Sequence, residues 1–408
     1  LYEDAYDPDL YDDIEPHFNF RASVKKTFQH FAKFTADVMY DKEEGHLAYY
    51  YSFFLRFLSF GAMGFVALKQ WLYKNRILRD EHLGCMVIVV GNLTMGGTGK
   101  TPVVERLARA LQSRGRKVCI LSRGYKSKKE PAFHKAWRWL VHKEAAPPKV
   151  VSDGNKVLLD SLVAGDEPYM LARNLPGVCV VVDKDRVKAG QYAVKHFGVD
   201  TLILDDGFSY YRLKDHLQLL LIDKTNPFGN GCMLPRGILR EPIEQLRRAN
   251  YIILTKSDGV PDPALEKRIR EIRPGTELIE CTHAPKHLRE VFGNRELPLS
   301  HLDGKKVACL SAIAAPDSFE SFVRRNGASI VSCHRFLDHH RFDREDMKEV
   351  FDDALSSGAT MIVTTEKDAV RMEPDLNPPL PMYYLRVEIE IITGAADFGE
   401  AVTRIAGR

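Results

Sequence analysis

The sequence predicts an α/β protein with a parallel sheet. Three observations carry that prediction. Short runs rich in β-branched residues recur along the chain, helical spacings fall between them, and one run leads straight into a glycine-rich loop and a helix. The 408 residues suit two or three domains at ~150 residues each. With 45% hydrophobic and 28% charged residues, the chain is no mainly disordered or collagen-like protein. Lys and Arg number 58 against 55 Asp and Glu, a net +3, which argues against broad nucleic-acid binding.

That average hides an acidic leader, placed at 1–45. Residues 1–16 alone hold seven acidic side chains and no Lys or Arg. Such a start is too acidic for a signal peptide. The seven cysteines are scattered, with no Cys-x-x-Cys and no zinc spacing. A reducing, cytoplasmic compartment is expected.

Residues 46–80 form the next segment. The stretch 47–68 carries one charge, Arg56, and is long enough to span a bilayer as a helix. Ser52, Arg56 and Ser59 would share one face. A central Arg costs ~2.5–3.5 kcal/mol on insertion scales. Lys69, Lys74, Arg76 and Arg79 follow, with Trp71 and Tyr73 between them. The pattern suits a membrane-associated helix in the headgroup region of an anionic leaflet. A true span and a buried core helix also satisfy it.

A first α/β domain is expected over 81–260. The run 86–90 reads as a strand buried on both faces. It is followed by Thr94, Met95, Gly96, Gly97, Thr98, Gly99, Lys100, Thr101 and Pro102, then by apolar residues at helical spacing. Strand, glycine loop and helix in this order make a P-loop, whose backbone N–H groups cradle phosphates. Lys100 would reach the β/γ-phosphates and the Thr101 hydroxyl would take Mg²⁺. Thr94 stands where the strict pattern has glycine. The expected fold is therefore a P-loop NTPase-like parallel sheet.

Further strands are predicted at 117–121, 178–182, 201–204, 218–222 and 251–254. The one at 201–204 leads into Asp205 and Asp206, at the edge where doubly wound sheets bind ligands. One of these could hold Mg²⁺ or its water. Thr255-Lys256-Ser257-Asp258 faintly resembles a guanine-reading sequence without its leading Asn. It motivates the rival reading of a P-loop GTPase acting as a switch or metallochaperone. Residues 123–148, with Trp137, Arg138 and Trp139, form either a lipid- or phosphate-contacting loop or a solvated insertion.

A second α/β domain is expected over 261–408. Strands are predicted at 307–310, 328–332 and 360–365, with helices at 317–325 and 343–357. Asp338, His339 and His340 fit a proton relay, a metal site or polar loop residues. Thr364-Thr365-Glu366-Lys367-Asp368 is a similar strand end.

Several motifs then agree in order: the P-loop, Ser122-Arg123-Gly124-Tyr125, Gly165-Asp166-Glu167-Pro168, Asp205-Asp206-Gly207-Phe208, Leu239-Arg240-Glu241-Pro242, Asp338-His339-His340 and the 364–368 motif. Together they closely resemble the tetraacyldisaccharide 4′-kinases, the lipid A 4′-kinases of Gram-negative bacteria, from about residue 47 to 390. The resemblance implies ATP- and Mg²⁺-dependent phosphorylation of the 4′-hydroxyl of a tetraacylated disaccharide 1-phosphate. It implies a lipid disaccharide substrate, the inner-membrane surface as partner, and the cytoplasmic face as location. It also implies Asp166 as catalytic base assisted by His339, with Asp338 orienting His339. Glu167, Asp205, Asp206 and Glu241 carry over as metal or active-site groups, and Arg123 and Arg240 as further active-site candidates. Ser209-Tyr210 and Lys126-Ser127 depart from the family pattern, which bears on substrate contacts there.

Overall fold

The computed structural model describes residues 31, 33–124, 146–313, 316–338 and 340–407. His339, the stretch 125–145 with its tryptophans, and most of the acidic leader lie outside the described residues.

A helical stretch at 33–39 precedes the long helix α1 (His46–Lys74). The first half of the sheet system follows with β1 (Met86–Asn92), α2 (Lys100–Gln112), β2 (Val118–Ser122), β3 (Lys149–Asp153), α3 (Ser161–Ala164), α4 (Asp166–Asn174), β4 (Cys179–Val182), α5 (Arg186–Phe197), β5 (Thr201–Asp205), β6 (Leu217–Asp223) and β7 (Tyr251–Thr255). The chain continues through α6 (Pro263–Ile272), β8 (Glu277–Glu290), β9 (Glu296–Pro298), β10 (Lys306–Ser311), α7 (Pro316–Arg325) and β11 (Ser329–Arg335). It ends with α8 (Arg344–Ser356), β12 (Met361–Thr365), α9 (Glu366–Ala369), β13 (Met382–Thr393) and α10 (Ala395–Ala406).

One sheet runs through both halves, in the order β11-β10-β12-β13-β8-β7-β6-β1-β5-β2-β4-β3, with β9 on β8. Pairing is parallel except at β3–β4, β8–β13 and β8–β9. Central β1 is buried along its whole length between β5 and β6. A parallel strand covered on both faces must be apolar throughout, which is why 86–90 was so legible. The C-terminal ends of β1, β5 and β7 place the phosphate loop, Asp205 and Thr255 along one edge.

The join between the halves is β8. Its start pairs parallel with β7, Tyr251 facing Glu277, and its continuation runs antiparallel to β13. Core packing is continuous across residue 260. Leu265 and Ile269 of α6 pack in a core with β1 and β5 residues. Phe398, Ala401, Val402 and Ile405 of α10 return to pack with α2 residues. The second half keeps its own apolar clusters on the two faces of β10 and β12.

Helix α1 lies at the margin of these cores, with Val66 packed against the one that holds β1 and β5 residues. Ala48, Leu55 and Ser59 are buried, whereas Phe53, Phe57, Phe60 and Phe65 are exposed. Only 11% of its most apolar window is buried, so it is not a core helix. It docks by polar groups: the Ser59 hydroxyl donates to the Met233 carbonyl (2.8 Å), and Lys69 donates to the Ser209 carbonyl (2.9 Å).

Candidate active site

The phosphate loop begins as a continuation of β1. Met95 N–H donates to the Ile238 carbonyl (2.6 Å), Thr94 bridges Leu239, and the Asn92 amide donates to the Thr94 carbonyl (2.8 Å). This pairing holds Thr94 in place as part of a ladder, so the position does not need the glycine of the strict pattern. The turn comes later, at Gly96 (φ 112°) and Gly99 (φ 74°). Gly99 is doubly constrained, because a Cβ there would lie 2.7 Å from the His283 ring. Below the loop, the Thr255 hydroxyl donates to the Thr98 carbonyl (2.9 Å).

Lys100 opens α2, with Thr101 buried behind it. Its Nζ donates to Asn92 Oδ1 (3.2 Å) and stands 3.7 Å from Asp206 Oδ1. The ammonium is thus positioned over the loop by one amide and one carboxylate.

Asp205 ends β5, in register with Val90 of β1, and is buried. Its carboxyl is pushed up to about 7, mainly by burial, with the Glu167 and Asp206 charges adding and Lys100 opposing. Asp206 takes a left-handed backbone (φ 54°) and turns its carboxylate onto Arg240, accepting bonds of 2.8 and 2.7 Å. Burial works to raise it, yet the Arg240 hydrogen bonds and the Lys100 charge hold it down to about 2. Arg240 also bonds the side-chain oxygen of Asn92. Arg186, at the start of α5, lies over the Tyr210 ring (5.1 Å), and burial lowers its basicity, with Arg123 beyond β2 opposing it further. Neighbouring carboxylates set at about 7 and about 2 mark a site where charge is managed.

A cavity of about 560 Å³ opens between the loop and the second half of the sheet. Gly96, Gly97, Thr98, Gly99, Lys100 and Thr101 line one side, and Lys367, Arg386, Phe319 and Phe322 line the other. Glu167 lines it too and accepts from Lys367 (3.1 Å). Asp166, the first residue of α4, accepts from Arg371 Nε (2.9 Å) and from Arg341 (3.2 Å). Arg341 brings the segment around Asp338 and His340 to the same place. The Asp338 charge also reaches Asp368, whose carboxyl is raised chiefly by burial. His340 faces elsewhere, bonded to Asp346 (2.6 Å) and stacked on Phe336.

Lys100, Thr101, Asp205, Asp206, Arg240 and Glu167 therefore come together around the loop. Glu241 does not: its carboxylate accepts from Tyr211 (2.9 Å) and from Gln70 of α1 (3.1 Å), seating the helix. The departure at Tyr210 also has a structural use, since its hydroxyl donates to Asp185 (3.2 Å) and accepts from the Arg186 N–H (3.1 Å) at the start of α5. Asp258 is exposed and 3.9 Å from Lys224, while Ser257 bonds Glu280, so the polar groups of this turn engage residues at the end of β6 and in β8.

Sequence reasoning missed Arg186, Glu105, Arg386 and Arg371. Arg386 lies between Glu105 of α2 and Glu366 of α9, the latter at 2.8 Å. Its signal was an arginine inside the largely apolar run 382–387, which demands buried partners.

The sequence pattern of the tetraacyldisaccharide-1-P 4′-kinase family matches residues 51–406. A tetraacyldisaccharide 4′-kinase of Syntrophus aciditrophicus is 36% identical over 335 residues, covering 80% of this chain and 86% of that one. Its counterpart in Anaeromyxobacter dehalogenans is 38% identical over 333 residues, covering 81% and 84%. The crystal structure of Aquifex aeolicus LpxK in complex with ATP aligns with a TM-score of 0.66 at 27% identity, over 85% of this chain and 97% of that one. These likenesses favour the lipid A kinase over the GTPase switch. With that pattern running through both halves of the sheet and the phosphate loop between them, the chain belongs to the tetraacyldisaccharide-1-P 4′-kinase family.

Proposed function

We propose that the chain transfers the γ-phosphoryl group of ATP to the 4′-hydroxyl of a tetraacylated disaccharide 1-phosphate, at the cytoplasmic face of the inner membrane. The observation that carries this reading is Lys100, held by Asn92 and Asp206 over a glycine loop that opens on a cavity of about 560 Å³. Residues 94–101 hold the phosphates, and Lys100 meets the charge that builds on the transferring group.

The donor set fits Mg²⁺. Asp205 sits at about 7 partly because Glu167 faces it, and a divalent cation between two carboxylates would relieve that repulsion. Among the described residues no three His, Cys, Asp or Glu side chains converge as a metal cage. That suits a cation that takes one or two carboxylates and completes its shell with phosphate and water. Thr101, Asp205 and Glu167 would hold it, while Asp206, with both oxygens on Arg240, contributes charge. When bound, the cation would neutralise the phosphate oxygens.

Asp166 accepts the proton of the 4′-hydroxyl as that oxygen attacks phosphorus. The new O–P bond forms as the bond to the β–γ bridging oxygen breaks, and ADP leaves with that electron pair. By the family resemblance, His339 assists Asp166. The aromatic face of α1 rests on the membrane that carries the lipid substrate.

The test is transfer of label from γ-labelled ATP to purified disaccharide 1-phosphate. Wild-type protein should label the lipid, and Lys100→Ala should lose at least a hundredfold in kcat. Equal turnover by both, or labelling of no lipid acceptor, would overturn the reading.

A further inference from the structure

The segment after β12 meets the segment around Asp166 three times. The Ser161 hydroxyl donates to the Val370 carbonyl (2.6 Å), Glu167 accepts from Lys367 (3.1 Å), and Asp166 accepts from Arg371 (2.9 Å). Arg371 is the centre of this contact. Its side chain has no exposure, and it donates to Asp368 (2.9 Å) and to the Ala312 carbonyl (3.1 Å) as well as to Asp166. Asp368 is fixed in turn by the Thr365 hydroxyl (2.6 Å) and the Ala312 N–H (3.1 Å).

From this geometry we infer that Arg371 is a positioning residue, aiming the Asp166 carboxylate at the acceptor hydroxyl from the second half of the sheet. The inference rests on the reading of Asp166 as base. A guanidinium is a rigid planar fork, so a fork anchored at Asp368 and Ala312 fixes the direction from which Nε meets Asp166. A buried ion pair is a poor way to gain stability alone, because desolvating its charges offsets their attraction. Orienting a carboxylate to within a fraction of an ångström does require such an anchor. Lysine keeps the charge and loses the fork.

The experiment compares Arg371→Lys, Arg371→Met, Asp166→Asn and the double variant Asp166→Asn/Arg371→Met in the labelled-ATP assay on the full chain. Binding of a fluorescent ATP analogue is measured in parallel. Arg371→Met should lower kcat at least tenfold with KM for ATP and analogue affinity within about threefold. Arg371→Lys should recover only part of that loss. The double variant should turn over no more slowly than Asp166→Asn alone, since Arg371 acts through Asp166. Multiplying losses in the double variant, or unchanged kcat in Arg371→Met, would overturn the assignment. Wild-type turnover by Asp166→Asn would instead remove the base, and this inference with it. If Arg371→Met does not fold, Asp368→Asn releases one anchor with little change of shape, and the same kcat-selective loss is expected.

Discussion

Arg240 holds both carboxylate oxygens of Asp206, at 2.8 and 2.7 Å, on a residue whose backbone is left-handed (φ 54°). The pair joins the end of β5 to the loop before Ile243–Arg248 and keeps a negative charge 3.7 Å from Lys100. A folded value of about 2 lies below the unfolded one, which is about 3.9. This contribution is therefore complete above about pH 4 and is lost as pH falls towards 2. Asp206 is partly open to solvent, which discounts its size. Arg240→Gln should unfold at lower urea than wild type near pH 7, and the gap should close between about pH 4 and pH 2. A gap that does not change with pH would assign the loss to packing instead.

The clamp around Arg386 should matter more for stability. Its guanidinium and Glu105 are buried and Glu366 half-buried beside them, and Asn174 donates to Glu366 (2.7 Å), so α2, α4, α9 and β13 share one network. Arg386→Met leaves Glu366 without its cation and Glu105 with Arg109 alone (2.8 Å), and breaking a buried pair in this way costs about 3–5 kcal/mol. Adding Glu105→Gln and Glu366→Gln removes the stranded charges and should restore much of that loss. Urea midpoints of the single and triple variants measure both effects. A triple variant no better than Arg386→Met would mean that the arginine stabilises by its volume rather than its charge.

The contrast between these two networks shows what a sequence displays. The phosphate loop was legible because its requirements are local: a buried strand, glycines that turn, a lysine and a helix start. Asp205 and Asp206 were legible because they follow an apolar strand directly. β8 and β13 were not, because β8 is parallel to β7 and antiparallel to β13 and β9, and its sequence through Thr282, His283, Pro285 and Lys286 has no clean period. Arg386, Glu105 and Arg371 acquire meaning only once those strands bring distant segments together. Glu241 shows the reverse: its motif places it beside Arg240 in the chain, and only the fold shows its carboxylate accepting from Tyr211 and from Gln70 of α1.

The exposed side of α1 yields the remaining prediction. Phe53, Phe57 and Phe60 are 70%, 71% and 62% exposed, while Ser59, Lys69 and Gln70 fasten the opposite side to the sheet domain. Replacing the outward rings should therefore spare the docking. Removing one large apolar side chain from water contributes about 1.5–3 kcal/mol, and the exposed flank Lys74, Arg76 and Arg79 adds about 1 kcal/mol per charge at an anionic surface. Phe53→Ser/Phe57→Ser/Phe60→Ser should thus lower co-sedimentation with anionic vesicles at least tenfold. Turnover of detergent-dispersed substrate should stay within about threefold, because the phosphate loop and Asp166 are untouched. Binding that survives the triple change but disappears in high salt would place the contact on the basic flank alone. Binding that survives both would mean that this face of α1 does not meet lipid.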